Sequence, residues 1–188
     1  MGELAHASRT DEEMSLKPSR HYDIIVESGP TTAKPNGGVI AMGNRKSVAE
    51  NGEYFDLIVL CAEEFQPHRS LILRPDSRTR VVYAPNDDAE LTEEQLMIAT
   101  RAADQVAGAF LQGKKVLVTC WEGRNRSGLV TALALHMLSG AGGNVVSRLV
   151  RARRRVPALT SPSFDRVLTS IRPRQRPSHG IHLHQVRP

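Results

Sequence analysis

The first half of the chain carries its hydrophobic residues in short runs that lack a helical repeat. Short runs rich in β-branched residues and bounded by Gly, Pro, Asn or Asp predict strands. Three runs fit this description: Val39–Met42, Asp56–Cys61 and Arg80–Ala84. The run Ile24–Val26 is shorter and predicts at most a brief edge strand in a polar, Gly- and Pro-containing segment. We therefore expect residues 1–36 to form a flexible lead-in.

The pattern changes after residue 92, where apolar side chains recur every three or four positions. This spacing predicts an amphipathic helix. Thr92 and Gln95 fit the capping box at its start, and Gly113 fits its end. Lys115–Thr119 then predicts a short strand that leads directly into Cys120.

Three further helices are predicted after that strand. The stretch Arg126–Leu138 is apolar nearly all round, which is typical of a helix buried in the centre of a domain. Asn144 fits the cap of the next helix, whose arginine-rich end, Arg151–Arg155, we expect to be solvated. Ser161-Pro162 fits the start of the last helix. The order of elements predicts an α/β fold with a central mixed sheet of four to five strands flanked by helices.

Composition limits the kind of protein that this is. The 188 residues, 40% hydrophobic and 24% charged, suit one soluble domain, which we place at residues 37–172. The formal net charge of +5 favours anionic partners. Residues 173–188 combine Arg with Pro and His without apolar periodicity, so we expect a basic disordered tail there.

The two cysteines, Cys61 and Cys120, are too few for a disulfide framework, so we expect a reducing, cytoplasmic location. No apolar run has the length of a secretory signal or a membrane span. We also expect a protein that needs neither a metal nor a cofactor. The sequence does not indicate an oligomeric state.

The candidate chemistry lies in the segment Cys120–Gly128, which reads CWEGRNRSG. A loop between a buried strand and a buried helix directs several amides and the positive end of the helix dipole at one place, where a phosphoryl group fits. Cys120 would act there as a thiolate nucleophile. Arg126 could bind two phosphate oxygens side by side, and Ser127 could donate a hydrogen bond to the sulfur when it leaves.

The remaining loop residues would surround the bound phosphate. They are Trp121, Glu122, Gly123, Arg124 and Asn125. Gly123 permits a tight turn without a Cβ near the ligand. Trp121 could offer a stacking surface, although packing is the more frequent role of such a residue.

The spacing of Cys120, Arg126 and Ser127 matches the signature loop of the protein tyrosine phosphatase superfamily. Over residues 38–172 the order of elements resembles the compact dual-specificity phosphatase core. The resemblance implies a phosphomonoester hydrolase that forms a cysteinyl-phosphate. It also implies an Asp on a loop as general acid, a role for which Asp88 fits better than Asp87, although either can also be an ordinary turn residue.

The chain departs from the family pattern at Thr119, where the family usually has His, so the activation of Cys120 is expected to be weaker. Cys61 resembles a strand-end cysteine of the tensin-type lipid phosphatases, which can trap the oxidised nucleophile as a disulfide. Core packing is the alternative role for Cys61.

The substrate stays open at this stage. A phosphorylated protein is the first expectation, and a phosphoinositide or a 5′-phosphorylated RNA is the alternative, since Asn125-Arg126 also resembles loops of RNA 5′-phosphatases. Nucleic acid is not favoured, because aromatic residues make up only 4% of the chain. A phosphate-binding module without turnover is the rival from a different functional class.

Overall fold

The computed structural model describes residues 21–29, 37–62, 79–86 and 89–174. Its strands are β1 (Tyr22–Glu27), β2 (Val39–Gly43), β3 (Leu57–Leu60), β4 (Arg80–Tyr83) and β5 (Lys115–Thr119). Its α-helices are α1 (Arg45–Asn51), α2 (Glu93–Leu111), α3 (Arg126–Ser139), α4 (Gly143–Arg153) and α5 (Pro162–Ser170), and a 3-10 turn covers Gly52–Tyr54.

The strands form one mixed sheet in the order β1-β2-β5-β3-β4. β1 pairs antiparallel with β2, whereas β2, β5, β3 and β4 run parallel to one another. β5 therefore lies in the middle of the sheet, and the residue that follows it emerges at the carboxyl edge of the parallel strands. Ligands of open α/β sheets bind at this edge.

β1 changes the domain boundary that the sequence suggested. The run Ile24–Val26 is confirmed as part of an edge strand, and Asp23 beside it is buried. Because Tyr22–Glu27 belongs to the sheet, the folded unit begins before residue 37. The apolar run predicts only the middle of this strand, because the buried Asp23 breaks the apolar pattern at its start, and Asp23 is paired there with Arg154 and Arg155. Residues 1–20 and 30–36 of the predicted lead-in lie outside the described residues.

The sheet separates two hydrophobic clusters because successive strand residues point to opposite faces. The larger cluster packs α2, α3, α4 and α5 on one face, with mostly aliphatic side chains. The smaller one includes Tyr22 and Phe55, whose rings meet edge to face with centroids 5.6 Å apart. α3 is buried along nearly its whole length, as its sequence predicts.

The helix ends match the sequence signals with one exception. The capping box of α2 is formed as predicted, with the amide of Gln95 donating to Thr92 Oγ1 at 3.2 Å. α4, in contrast, begins at Gly143 and not after Asn144. Gly143 lies against the end of α5, where its amide donates to the carbonyl of Ile171 and a Cβ would overlap the carbonyl of Leu168. This close contact leaves no room for a side chain at the first residue of α4.

The C-terminal boundary also lies slightly later than predicted. The amide of Arg174 donates to the carbonyl of Gly140 at 2.9 Å, so residues 173 and 174 still belong to the folded domain. The rest of the predicted tail, residues 175–188, lies outside the described residues. Within the described ranges, no helix is both long enough and apolar enough to cross a membrane.

Candidate active site

Cys120 and Ser127 meet at the start of the central helix. Cys120 directly follows β5, and its side chain is only 3% exposed. Its Sγ lies 3.3 Å from Oγ of Ser127, a fully buried residue in the first turn of α3. When the sulfur is a thiolate, only the hydroxyl can donate this hydrogen bond. The structure thus brings together the predicted nucleophile and the predicted leaving-group stabiliser.

Gly123 gives the loop its tight turn. Its φ is +68°, and a Cβ at this position would lie 2.5 Å from the carbonyl carbon and oxygen of Gly43 at the end of β2. Both the backbone conformation and the close approach therefore require glycine. The loop is held against the sheet by backbone contact, which fixes where its amides point.

Asn125 holds the other end of the loop with its side chain. It is the N-cap residue of α3, yet its side chain does not cap that helix. Its Oδ1 instead accepts hydrogen bonds from the amide and the hydroxyl of Thr160, at 2.8 and 3.1 Å. An anion bound in the loop could therefore satisfy the first amides of α3 in place of the usual capping side chain.

A buried ion pair lies behind the loop. Nη1 of Arg154 contacts Oδ2 of Asp23 at 2.6 Å and the carbonyl of Met42 at 2.8 Å. The Arg154 side chain is 4% exposed, so the prediction of a solvated arginine-rich helix end is wrong for this residue. Burial lowers the pKa of Arg154, whereas the Asp23 carboxylate and then the Cys120 sulfur raise it. The guanidinium is thus a buried charge held between Asp23 and the end of β2.

Cys61 lies beside Cys120 at the same edge of the sheet. Its amide donates to the carbonyl of Thr119 at 2.8 Å, and both cysteines are free thiols. Burial raises the pKa of Cys61 well above its usual value, the Cys120 sulfur raises it further, and the Arg126 guanidinium lowers it. The hydrogen bond to Thr119 places Cys61 next to the residue that directly precedes Cys120. The neutral, buried thiol of Cys61 also fills the core, as the alternative role predicted.

The predicted general acids, Asp87 and Asp88, lie outside the described residues. The residue before them is described. Asn86 is buried, and its amide donates to the carbonyl of Cys61 at 3.4 Å, which continues the pairing of β4 with β3. The chain therefore enters the predicted acid loop at the same edge of the sheet as Cys120.

The outer residues of the loop form a charged rim with α1. The Arg45 guanidinium stacks 3.5 Å from the centre of the Trp121 ring, and the Arg45 amide donates to the Trp121 carbonyl at 3.3 Å. Arg124 pairs with Glu122 at 3.1 Å and donates to the carbonyl of Pro157 at 2.8 Å. Trp121 is thus neither a core residue nor a fully open stacking surface.

Sequence patterns did not identify Asp23, Arg154 or Arg45 as parts of this site. Asn44 was a usable sequence signal for the start of α1, because Asn is a frequent N-cap residue. Its Oδ1 accepts a hydrogen bond from the amide of Lys46, so α1 begins at Arg45. In the part of the chain that the structure describes, no three His, Cys, Asp or Glu residues are grouped so that they could hold a metal ion.

Comparisons with known proteins support the fold. No protein-family model and no curated protein matches the chain. Three similar solved structures are Tk-PTP in its active form (26% identity, TM-score 0.56, covering 73% of this chain and 93% of that chain), human DUSP28 (20%, 0.57, 75% and 94%) and PTPMT1 (15%, 0.55, 79% and 91%). They confirm the predicted α/β architecture, and the chain has the dual-specificity phosphatase fold of the protein tyrosine phosphatase superfamily.

Proposed function

We propose that this protein is a phosphomonoester hydrolase that works through a cysteinyl-phosphate on Cys120. The observation that carries the proposal is the 3.3 Å contact between the Cys120 sulfur and the Ser127 hydroxyl at the start of α3, in a loop fixed by Gly123. The phosphatases among the structural neighbours support the same assignment. A buried cysteine that only packed the core would not need a hydroxyl partner or a positive helix end beside it.

The first step transfers the phosphoryl group to the protein. Loop amides and the Arg126 guanidinium hold the equatorial oxygens, and the Cys120 thiolate attacks phosphorus in line with the leaving oxygen. The S–P bond forms while the P–O bond breaks. Asp88, or Asp87 in its place, donates a proton to the leaving alcohol or phenol.

The second step releases inorganic phosphate. The same carboxylate takes a proton from water, which attacks phosphorus as the S–P bond breaks. The electron pair returns to sulfur, and the Ser127 hydroxyl stabilises the departing thiolate by a hydrogen bond. Arg154 supports the loop indirectly, because it binds the carbonyl of Met42 next to Gly43, the residue against which Gly123 packs.

Turnover of p-nitrophenyl phosphate tests the proposal. We expect hydrolysis that vanadate inhibits and chelators leave unchanged, and we expect Cys120→Ser to abolish it. Cys61→Ser is the matched control, because it changes the neighbouring thiol but keeps the nucleophile. Turnover by Cys120→Ser would refute the mechanism, and phosphate binding without any turnover by the unmodified protein would favour the binding-module alternative.

The substrate class is tested by rates on a phosphotyrosine peptide, a phosphoserine peptide, a phosphoinositide and a 5′-phosphorylated RNA. The sequence makes a phosphorylated protein the first expectation. The net charge of +5 suits each of these anionic substrates, so charge alone does not choose among them. The substrate with the highest kcat/KM identifies the class.

We further propose that Cys61 protects the nucleophile from over-oxidation. Peroxide would convert the Cys120 thiolate to a sulfenic acid, and the Cys61 sulfur would then displace water to form a disulfide, with a net loss of two hydrogens, about 2 Da. Intact-mass measurement after mild peroxide tests this step. In Cys61→Ser we expect oxygen addition at Cys120 instead, and the same oxygen addition in the unmodified protein would remove the idea.

A further inference from the structure

A cavity of about 390 Å³ adjoins the candidate active site. Its lining includes Arg45 and Lys46 of α1, Trp121 and Arg124 of the phosphate loop, and Pro157. Since the loop residues also surround the position where a phosphoryl group would meet Cys120, a substrate bound at Cys120 would extend past this cavity. The volume suits a small ring compound.

The cavity has an excess of positive charge. Its lining holds the cations Arg45, Lys46 and Arg124 and the carboxylate of Glu122. Glu122 pairs with Arg124, which offsets that guanidinium. Among the described residues, no carboxylate pairs with Arg45 or Lys46. Two cations at one end of the cavity therefore lack a partner of opposite charge in the described parts of the chain.

Arg45 is held in position for an anionic ligand. Its guanidinium stacks on the Trp121 ring at 3.5 Å, and its amide binds the carbonyl of the same residue. Stacking leaves the N–H donors in the plane of the guanidinium available, so Arg45 can bind phosphate oxygens with two parallel hydrogen bonds. The same contact covers one face of the Trp121 ring, which a nucleobase would otherwise use for stacking.

We infer that this cavity is a second phosphate subsite, and that the substrate class is compact polyol phosphates with two phosphate groups. One phosphate would bind at Cys120 and the other at Arg45 and Lys46. The assignment rests on the proposed function, which it deepens by naming a substrate class other than the first expectation. The shared chemistry is an inositol-like ring with two phosphates, either free or as a lipid headgroup.

Binding to Cys120→Ser, which cannot turn over, tests the subsite by calorimetry. We expect inositol 1,4-bisphosphate to bind at least about tenfold more tightly than inositol 1-phosphate, the gain from one charge-assisted pair of hydrogen bonds. Arg45→Gln with Lys46→Gln should reduce this preference to less than about twofold. Lys46→Gln alone should lower it by about threefold, and it leaves the contact between Arg45 and Trp121 intact.

The matched control is Lys114→Gln with Arg101→Gln, which removes two positive charges outside the cavity. Lys114 precedes β5 at the end of the strand opposite to Cys120, and Arg101 lies on the exposed side of α2. This control should keep the preference. The subsite is overturned if the two inositol phosphates bind with equal affinity. It is also overturned if the control loses as much of the preference for the bisphosphate as Arg45→Gln with Lys46→Gln does.

Further ligands separate the possible sources of the second phosphate. The affinity for dioctanoyl phosphatidylinositol 4-phosphate should depend on Arg45 and Lys46 in the same way. If this lipid binds more tightly than the free bisphosphate, the lipid headgroup is the source of the second phosphate. If the affinity for a doubly phosphorylated peptide or a 5′-phosphorylated dinucleotide depends more strongly on Arg45 and Lys46, the assignment of polyol phosphates as the substrate class is overturned. Turnover of p-nitrophenyl phosphate is measured in parallel, so that failure of the proposed function is seen separately from failure of the subsite.

Discussion

The inner and outer sides of the loop at residues 120–127 are built by different means. The inner side, Cys120, Gly123 and Ser127, is buried and lies against the sheet and α3. The rim, Trp121, Glu122 and Arg124, is at least partly exposed and is held by side-chain contacts. In a close-packed interior small changes of shape are costly, whereas exposed ion pairs contribute little to stability. We therefore expect the inner side to determine the rate of the chemical steps and the rim to determine which substrate binds.

The largest effect should come from the buried ion pair behind the inner side. Arg154→Met leaves the buried Met42 carbonyl without this donor and Asp23 without its buried partner. We expect a loss of about 3 kcal/mol in the free energy of unfolding, measured with urea. Arg155→Met is the control, because Arg155 also pairs with Asp23 but its side chain is 57% exposed, and it should cost less than about 1 kcal/mol. Similar losses in the two variants would contradict the contrast between buried and exposed contacts.

Gly123→Ala should have the next largest effect, this time on catalysis. The added Cβ would overlap the backbone of Gly43, so the loop must shift. We expect kcat/KM for p-nitrophenyl phosphate to fall about 100-fold, as small displacements of reacting groups can cause. Gly108→Ala in α2 is the control, since a Cβ there meets no atom within 4 Å, and it should keep activity and stabilise the helix by about 1 kcal/mol.

Ser127→Ala should have a smaller effect that is confined to the second chemical step. Without the hydroxyl 3.3 Å from the sulfur, the thiolate is a poorer leaving group. We expect kcat to fall about tenfold, the value of one hydrogen bond to a charged group. Rapid-quench measurement should show phosphoenzyme accumulating, and Ser127→Thr should restore the rate. A slower initial release of the alcohol or phenol, with no accumulation of phosphoenzyme, would instead place the role of Ser127 in the first step.

The smallest effect should be an alkaline loss of stability that depends on Cys61. Its pKa is raised in the folded state, chiefly by burial. The stabilisation is therefore complete below the unfolded thiol's pKa of about 8.5 and is lost as the pH rises towards the higher folded value. The free energy of unfolding should fall by at most about 1.4 kcal/mol per pH unit above that point. Cys61→Ala should show a shallower slope between pH 8 and 10, and identical slopes would exclude Cys61 as the source.

Local sequence was sufficient to predict the elements and the loop. Cys120, Gly123, Arg126 and Ser127 lie within eight consecutive positions, where a strand and a helix with unambiguous apolar patterns meet. α1 was missed because its seven residues bury only Ser47 and Val48, too few for a visible helical repeat.

The long-range contacts that hold the loop in place could not be predicted from the sequence. Asp23 and Arg154 are 131 positions apart, and a buried arginine looks the same in the sequence as one on a solvated helix end. The Asn125 side chain binds Thr160, which lies 35 positions later in the sequence. Such long-range pairs are decided by tertiary packing, which local propensity does not encode.

The central position of β5 bears on how the protein is made. β2 and β3 follow one another in sequence, yet β5 lies between them and pairs with both. A nascent chain that ends before residue 115 can form only two separate strand pairs, and non-local pairing of this kind is slow. The five-stranded sheet can be completed only after Thr119, the last residue of β5, has been synthesised, and Cys120 is the next residue. The Cys120 sulfur is therefore added only when the ribosome has already supplied all five strands, so a chain that ends before residue 120 lacks the proposed nucleophile.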